Sequence, residues 1–529
     1  MILTNANIFT GNPSQNNPTA VYIKGNRIIS LGQEIEILNE YKSVSEVINL
    51  NGMTLWPGLC DSHLHLQNLS ESLNSIDCET DTIEECLDRV FTKVNSQPQQ
   101  SWIRGYGWNQ NQWINSVYGT ASQLDLITGD YPVYLSSKSL HAAWVNNKAL
   151  EMAHISSTTP DPPGGEILRD KFGVPSGILL ESAVNLINEI IPSPTPGELA
   201  SNFKLLQPYL WSVGLTSVHD FDGTLSFEAL KYLHQNESLD LRIIKNLPVN
   251  VLSDLIVQGL RSGIGDDMLR LGSLKLFSDG ALGPQTAAML SPYEESNSFG
   301  SLLLDADEMV EIGQKAGLGG WGLAIHAIGD RANQEAIKAI RRLREFETAK
   351  SLPHFHHRIE HAQCIESEDQ IRVKELGITA SVQPIHCTSD MMTADKFWGK
   401  RTQYTYPFAS FDNLDVFMVF GSDAPVESCN PFWGLHSAVT RRRKDGTPNV
   451  NGWHPEQRIS LLKALEAYSV NPAIQAGMAD RLGKIQPGYL ADLIVLPVDP
   501  FQVTAHEIHT LVPVMTIVNG KIVFQKISL

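Results

Sequence analysis

The sequence is poor in cysteine and lacks the paired cysteines that build thiolate metal sites. Its six cysteines are scattered over 529 residues, and no two of them form a Cys-x-x-Cys pair. This spacing excludes a thiolate zinc site and a dithiol redox motif, and most of these thiols are expected to be buried. Cys387 directly follows His386, so a nucleophilic cysteine stays an alternative, although adjacent residues on a strand point to opposite faces.

Basic residues are also in the minority. Lysine and arginine number 40 against 58 aspartates and glutamates, and the net charge of −18 opposes binding to nucleic acid or to an anionic membrane. No run approaches the roughly 18–20 apolar residues of a membrane span, and the first residues show no basic segment followed by an apolar one. The expected location is the cytoplasm and the expected partner is a small-molecule substrate, with homo-oligomerisation left open.

What is present is the composition of a large folded protein, with 42% hydrophobic and 19% charged residues. Between residues 55 and 483, short apolar segments alternate with helical patterns, which is typical of βα units and a parallel sheet. Eight such segments close a (β/α)₈ TIM-type barrel. The predicted strands lie near Leu55–His63, Gly214–Phe221, Leu241–Pro248, Gly272–Phe277, Gly322–Ala327, His356–His361, Ile378–Gln383 and Val416–Gly421.

Both ends of the chain carry strand patterns with hairpin turns. Gly25-Asn26 separates two short β-rich runs near the start, and Asn519-Gly520 separates two more near the end. Because chain termini often lie close together, residues 1–54 and 484–529 are predicted to form one small β-sandwich domain around the barrel.

The stretch from residue 68 to 201 is too long for a single crossover and is predicted to be an insertion after the first strand. Long insertions at the catalytic face of a barrel commonly shape the substrate pocket. The stretch is rich in tryptophan, and Trp108 and His141 are candidate substrate contacts. The alternative is that these rings belong to a hydrophobic core.

The strongest local motif is His63-Leu-His65, at the end of the first predicted strand. Strand alternation places both imidazoles on one face. The other candidates fall one per predicted strand, each at its carboxyl end, where barrel enzymes hold their active sites: Lys275, His326, His361 and Asp423. Each alone has a structural alternative, namely a hydrogen-bonded histidine, an ion-paired lysine, or an aspartate that caps the next helix.

These segments resemble the amidohydrolase superfamily, in the branch that includes N-substituted formamide deformylases. The similarity extends over nearly the whole chain, including the motifs at 164–167, 279–287, 326–333 and 488–496. It implies hydrolysis of a C–N bond in an amide, formamide or cyclic amide, and a site with one or two divalent metal ions. It further implies these ligands: His63, His65, His326, His361 and Asp423, with Lys275 bridging as a carboxylated lysine. An unmodified Lys275 would instead bind substrate or pair with a carboxylate beside a single ion.

The expected mechanism uses water activated by the metal, with Asp423 as the general acid and base. His386 and His219, after the seventh and second predicted strands, and Arg331, in the third motif, are candidate substrate contacts. Imidazole and carboxylate ligands suit zinc first, with iron, nickel and manganese as alternatives. Gln285 stands where the family often has arginine, which puts an anion-pairing role there in doubt.

Two other functions stay open at this stage. The same metal and water chemistry serves esters and lactones. A binding or regulatory homologue could have kept the barrel and lost catalysis. Against the second alternative, none of the six implied site positions is substituted.

Overall fold

The computed structural model describes residues 1–10, 17–95, 102–110, 113, 117–138, 142–294 and 296–526. The chain divides into two compact units, one of Met1–Gln67 with Pro196–Leu529 and one of Asn68–Thr195. Within the described part of the chain, every helix is too short or too polar to cross a lipid bilayer.

The first unit contains a ring of eight parallel strands in sequence order. A bridge between Leu64 and Ala424 closes the ring by joining its last strand to its first. The predicted TIM-type barrel is therefore confirmed, and all eight predicted strand positions are occupied. The strands are β1 (Leu59–Leu64), β2 (Leu215–Asp220), β3 (Arg242–Pro248), β4 (Leu269–Phe277), β5 (Leu323–Ala327), β6 (Arg358–His361), β7 (Thr379–Val382) and β8 (Met418–Phe420).

Helices follow the strands and cover the outside of the ring. The helix Asp330–Ala349 buries Ala332, Ala336, Ile337 and Ile340, the apolar positions expected from helical spacing. Strands covered in this way are buried on both faces, as β2 and β6 are at every position. The helices of this region are Pro196–Ser212, Thr224–Gln235, Leu252–Val257, Ala306–Leu318, Asp330–Ala349, Ser367–Glu375, Pro384–Trp398, Phe408–Asn413, Pro431–Thr440, Leu461–Tyr468 and Val470–Gln475.

The first predicted strand is divided at Gly58. Thr54–Pro57 belongs to a sheet built from the two chain ends, and the barrel begins at Leu59. A Cβ atom at Gly58 would lie 2.2 Å from Thr216 Oγ1, so the backbone crosses close against β2 at this point. Glycine is required here because the approach leaves no space for a side chain.

Two sheets form from the chain ends. One has the order Arg27–Gly32, Ala20–Lys24, Ile2–Thr4, Val47–Asn49, and the other Asn7–Ile8, Thr54–Pro57, Leu493–Leu496, Met515–Val518, Lys521–Gln525. The helix Glu34–Tyr41 packs beside the first sheet. In the second, Leu493 pairs with Pro57, so both ends of the chain contribute to one sheet. Asn519 and Gly520 both have positive φ, the geometry of a tight hairpin turn.

The unit Asn68–Thr195 has its own six-stranded sheet and core. The sheet order is Gly165–Arg169, Pro175–Glu181, Ala142–Val145, Val133–Ser137, Ile103–Trp108, Ile76–Asp77. Its helices are Ile83–Val94, Ala121–Thr128, Asn147–Met152 and Asn185–Asn188, and Leu66–Asn74 leads into it from β1. The helix Pro196–Ser212, which precedes β2, begins before the predicted end of the insertion at residue 201.

Candidate metal centre

Histidine rings from three barrel strands meet at the carboxyl end of the ring. The ring centroid of His361 lies 4.5 Å from that of His326 and 5.1 Å from that of His63. His65, one residue beyond β1, has its ring 5.7 Å from the ring of His63. The motif at the end of β1 and the lone histidines of β5 and β6 are therefore brought together.

Asp423 lies at the centre of this cluster, three residues after β8. Its Oδ1 is 3.2 Å from His65 Nε2 and 3.5 Å from His63 Nε2. Its Oδ2 is 4.0 Å from Nε2 of His386, in the first turn of the helix Pro384–Trp398. The potential ligand atoms form two groups, and within each group all atoms lie within 4.8 Å of one another. One group is His63, His65 and Asp423, and the other is His361, His386 and Asp423.

A contact between a ring nitrogen and a protein oxygen orients each of three histidine rings. Glu360 Oε2 is 2.6 Å from His63 Nδ1, and Asp222 Oδ1 is 3.2 Å from His65 Nδ1. His326 Nε2 is 2.9 Å from the carbonyl oxygen of Gly280. Each ring thus has one nitrogen held by a protein oxygen, and in His63 and His65 the other nitrogen, Nε2, faces Asp423, the arrangement found around metal-ligating histidines.

The donor set fits a divalent transition metal. Nδ1 of His361 and Nε2 of His386 are buried and have no hydrogen-bond partner among the described residues. Buried polar atoms are rarely left in this state, since each costs about 1–3 kcal/mol. Imidazole nitrogens around a shared carboxylate are the ligands that zinc and its neighbours prefer. The unpaired nitrogens and the shared Asp423 together indicate metal ligation.

Comparison with known proteins agrees with this geometry. The profile described as the amidohydrolase family matches residues 46–524. The chain belongs to the amidohydrolase family. It is 30% identical to YtcJ of Bacillus subtilis (strain 168), named as an amidohydrolase, over 96% of each chain. It is 27% identical to the N-substituted formamide deformylase of Arthrobacter pascens, over 99% of this chain and 98% of that one.

A solved structure adds the fold. An uncharacterised metal-dependent hydrolase from Pyrococcus horikoshii OT3 superimposes with a TM-score of 0.80 at 28% identity, over 95% of this chain and 98% of that one. The protein is accordingly a metal-dependent hydrolase that acts on carbon–nitrogen bonds.

The amidohydrolase keeps several of these rings neutral. Burial, followed by the nearby Lys275, lowers the pKa of His63 to about 4 and that of His326 to about 3. Neutral imidazole is the form that binds metal. His65 differs: burial lowers its pKa, but hydrogen bonds to Asp222 and Asp423 outweigh burial and raise it to about 10. A cation bound at its Nε2 would take the place of that proton.

Lys275 lies near the end of β4 and is buried within the barrel. Its Nζ is 4.9 Å from the ring centroid of Phe221 and 5.0 Å from that of Phe277. Burial is the main cause that lowers its pKa, to about 8. The amine is therefore neutral in part of the molecules near neutral pH, which is the form that reacts as a nucleophile.

Two site residues adopt left-handed backbone conformations. φ is 72° at His361 and 60° at Asp423, and Ala362 follows with 44°. Such conformations cost about 1–3 kcal/mol for a non-glycine residue, and they cluster at functional sites. At His361 the left-handed backbone also breaks the alternation of side chains along the strand. Glu360 and His361, adjacent in sequence, therefore both contact His63.

Other predicted site residues lie away from the histidine cluster, and one lies outside the described residues. His219 contacts Arg358, whose Nη1 is 3.0 Å from its Nδ1, so its ring belongs to a buried network below the metal centre. Trp108 is fully buried in the core of its unit, where Nε1 donates to the carbonyl oxygen of Leu135. Arg331 is exposed at the start of the helix Asp330–Ala349. His141 lies outside the described residues.

Two structural alternatives are resolved by their surroundings. Asp423 does not cap the following helix, because that cap is Asn430, whose side chain accepts from the amide of Phe432. Cys387 lies on a helix rather than a strand, so the expectation from strand alternation does not apply to it. Burial raises the pKa of its thiol to about 11, which opposes a nucleophilic role.

The position of His386 beside Asp423 and the contacts of Glu360 and Asp222 with the ring nitrogens of His63 and His65 were not predicted. An acidic residue directly before His361 was the available signal for Glu360. His386 was predicted to contact substrate because it follows a strand, whereas the helix that begins at Pro384 turns its ring toward Asp423.

Proposed function

We propose that this amidohydrolase hydrolyses a small N-acyl compound, either an amide, a formamide or a cyclic amide, at the carboxyl end of its barrel. The observation that carries the proposal is the position of Asp423, whose two oxygens face the histidines of β1 on one side and His386 on the other. The name of the deformylase relative supports the same substrate class.

We infer that zinc is the resident ion. His63, His65 and Asp423 would hold one ion, and His361 with His326 or His386 would hold a second, with Asp423 between them. Lys275 would bridge the two ions as a carboxylated lysine. Iron, nickel and manganese accept the same donors, so the identity of the metal is an outcome of the test. A cytoplasmic location stays a prediction.

A bound divalent ion supplies Lewis-acid chemistry, since it lowers the pKa of a coordinated water from 15.7 to about 7 and polarises a carbonyl group. The residues of the chain do the rest. Asp423 takes the proton that the attacking water loses and passes it to the leaving nitrogen. Its contacts with His65, His63 and His361 outweigh burial and keep its pKa well below the usual range, so its carboxylate is ionised.

Carboxylation of Lys275 is part of the proposal. The neutral amine of Lys275 attacks carbon dioxide: a C–N bond forms as one C=O π bond breaks, and the nitrogen loses one proton to solvent water, which leaves a carbamate anion. An anionic oxygen donor there would compensate the charge of metal ions beside neutral imidazoles. Equilibration with ¹³C-bicarbonate should give a carbamate signal in the ¹³C NMR spectrum that is absent in Lys275→Met. A spectrum without that signal in the metal-loaded parent protein would rule out the carbamate.

The central experiment combines metal analysis with a substrate screen. The purified protein should hold one or two equivalents of transition metal per chain, and it should lose hydrolysis on chelation and regain it on re-addition of metal. A panel of formamides, N-acyl amines and cyclic amides is then compared with matched esters and lactones. Hydrolysis restricted to the esters and lactones, or metal well below one equivalent, would contradict the proposal.

A further inference from the structure

A buried carboxylate network lies directly beneath His63. Glu360 is fully buried, and its Oε2 is 2.6 Å from His63 Nδ1. Arg358, two residues earlier on β6, forms an ion pair with the same carboxylate, and its Nη2 is 3.1 Å from Glu360 Oε2. Arg358 thus compensates the charge of Glu360 through both carboxylate oxygens, and Oε2 also faces the imidazole.

Arg358 is itself fixed on several sides. Its Nη2 donates to the carbonyl oxygen of Ser62 at 2.7 Å and to Ser381 Oγ at 2.6 Å. These contacts join β1, β6 and β7. Because Ser62 directly precedes His63, the same guanidinium holds both the backbone before the ligand and the carboxylate that orients its ring.

The chain contains a second buried group of a histidine, a glutamate and an arginine, but in this group the histidine has different contacts. Glu347 Oε1 is 2.7 Å from His357 Nε2, and Arg344 Nη1 donates to Glu347 Oε2 at 2.8 Å. The other nitrogen of His357, however, accepts from the amide of Leu323 at 3.1 Å. Both nitrogens of that ring are used by protein atoms. The Nε2 of His63 instead faces Asp423 at 3.5 Å.

We propose that Glu360, supported by Arg358, is a positioning residue for metal binding: it holds the proton of His63 on Nδ1 and aims Nε2 at the ion. This inference rests on the proposed function, which makes His63 a metal ligand. Loss of such an outer partner typically weakens metal binding by about 10–100-fold. Glu347 has no such role, because its histidine has no free nitrogen.

The test compares Glu360→Gln with Glu347→Gln in the full chain. Each variant is depleted of metal, and the dissociation constants for Zn²⁺ and Co²⁺ are measured by competition with a chelator. The Co²⁺ absorption spectrum is recorded because it reports ligand geometry. We expect Glu360→Gln to raise the metal dissociation constant about 10–100-fold and to change the spectrum. Glu347→Gln should lower thermal stability and leave both readouts as in the parent.

Equal metal affinity and spectrum in Glu360→Gln and the parent would overturn the inference, as would an equal loss in Glu347→Gln. If Glu360→Gln does not fold, Glu360→Asp carries the test. It keeps the charge but withdraws it by one methylene, so intermediate affinity is expected and parental affinity would contradict the inference. A parent protein that binds no metal would instead reject the proposed function, which separates the two failures.

Discussion

The two ends of the barrel both hold buried charge, but they satisfy it differently. At the amino end, Arg242 forms two hydrogen bonds with Asp492, at 2.5 and 2.9 Å, and further bonds with Asn519 and the carbonyl oxygen of Asp267. At the carboxyl end, His361 and His386 each keep a buried nitrogen without a partner among the described residues. The contact between Arg242 and Asp492 is a fully paired structural joint, whereas the unpaired imidazole nitrogens indicate a ligand site.

The same contrast extends to the backbone. The metal centre includes positive φ angles at His361, Ala362 and Asp423. At the joint, Arg242 lies within a regular strand, and the positive φ of Asn519 belongs to an ordinary hairpin turn. Left-handed backbone at the candidate ligands therefore accompanies the unpaired nitrogens. The following predictions break one end of the barrel at a time.

The largest effect is expected from removal of residues 484–529, which eliminates three of five strands in the sheet shared by the chain ends. Leu493, Val495, Met515 and Ile517 leave a common core that includes Leu55. Each such side chain contributes roughly 1.5–3 kcal/mol on burial, and the sum approaches the whole stability of a typical domain. The truncated chain should not show a cooperative thermal transition by circular dichroism. A transition at the parent temperature would refute the prediction that residues 1–54 and 484–529 form one domain.

Asp492→Asn should reduce stability and spare chemistry. Loss of one partner of a buried ion pair costs typically about 3–5 kcal/mol, because the remaining charge stays buried. Unfolding in urea should therefore occur at lower concentration, while turnover per folded molecule is unchanged. The matched control is Asp480→Asn, which removes the exposed partner of Arg481 and should cost about 0–1 kcal/mol. If the two variants are equally stable, the amino end is not the joint described above.

Asp423→Asn should have the opposite effect, with lower turnover and nearly unchanged stability. The amide keeps the shape of the side chain but cannot accept the proton of water, so turnover should fall by at least ~10²-fold. The thermal midpoint should change little. Asp254→Asn, an exposed residue of the helix Leu252–Val257, serves as the control with parental activity. A variant within a few-fold of the parental rate would remove Asp423 from the mechanism.

Cys387→Ala should have the smallest effect. Burial raises the pKa of this thiol to about 11 and that of Cys60, at the other end of β1 from His63, to about 12. Neither thiol should react with iodoacetamide in the native protein, and both should react after unfolding. The variant should keep turnover within about two-fold of the parent, because the thiol takes no part in the chemistry. Loss of activity would revive the nucleophilic alternative for Cys387.

The barrel was predictable from sequence because strand and helix periodicities report burial, and eight apolar segments suffice to close the ring. The convergence of His63, His65 and Asp423 followed from the rule that active sites lie at the carboxyl ends of strands. The division of the first strand at Gly58 was not predictable, since it depends on how closely β2 approaches.

Contacts between side chains on different strands could not be predicted from the sequence either. Periodicity assigns a residue to a face but not to a partner on another strand, so Glu360 could not be assigned to His63. His361 shows the limit most clearly, because nothing in Arg358-Ile-Glu-His361 marks a left-handed residue where two neighbours must face the same way. The direction of the His386 ring depends on the helix that begins at Pro384, which was not predicted from the sequence.

The closure of the ring between Leu64 and Ala424 has a consequence for how the protein acquires its activity. The amide of Asp423 donates to the carbonyl oxygen of His63 at 2.6 Å, across 360 residues of chain. Contacts of such long sequence separation form slowly, because the entropy of loop closure must be overcome first. The ligand cluster can therefore assemble only after β8 has been synthesised and docked on β1. Metal binding would then require the native fold, and an incomplete chain would have no hydrolytic activity.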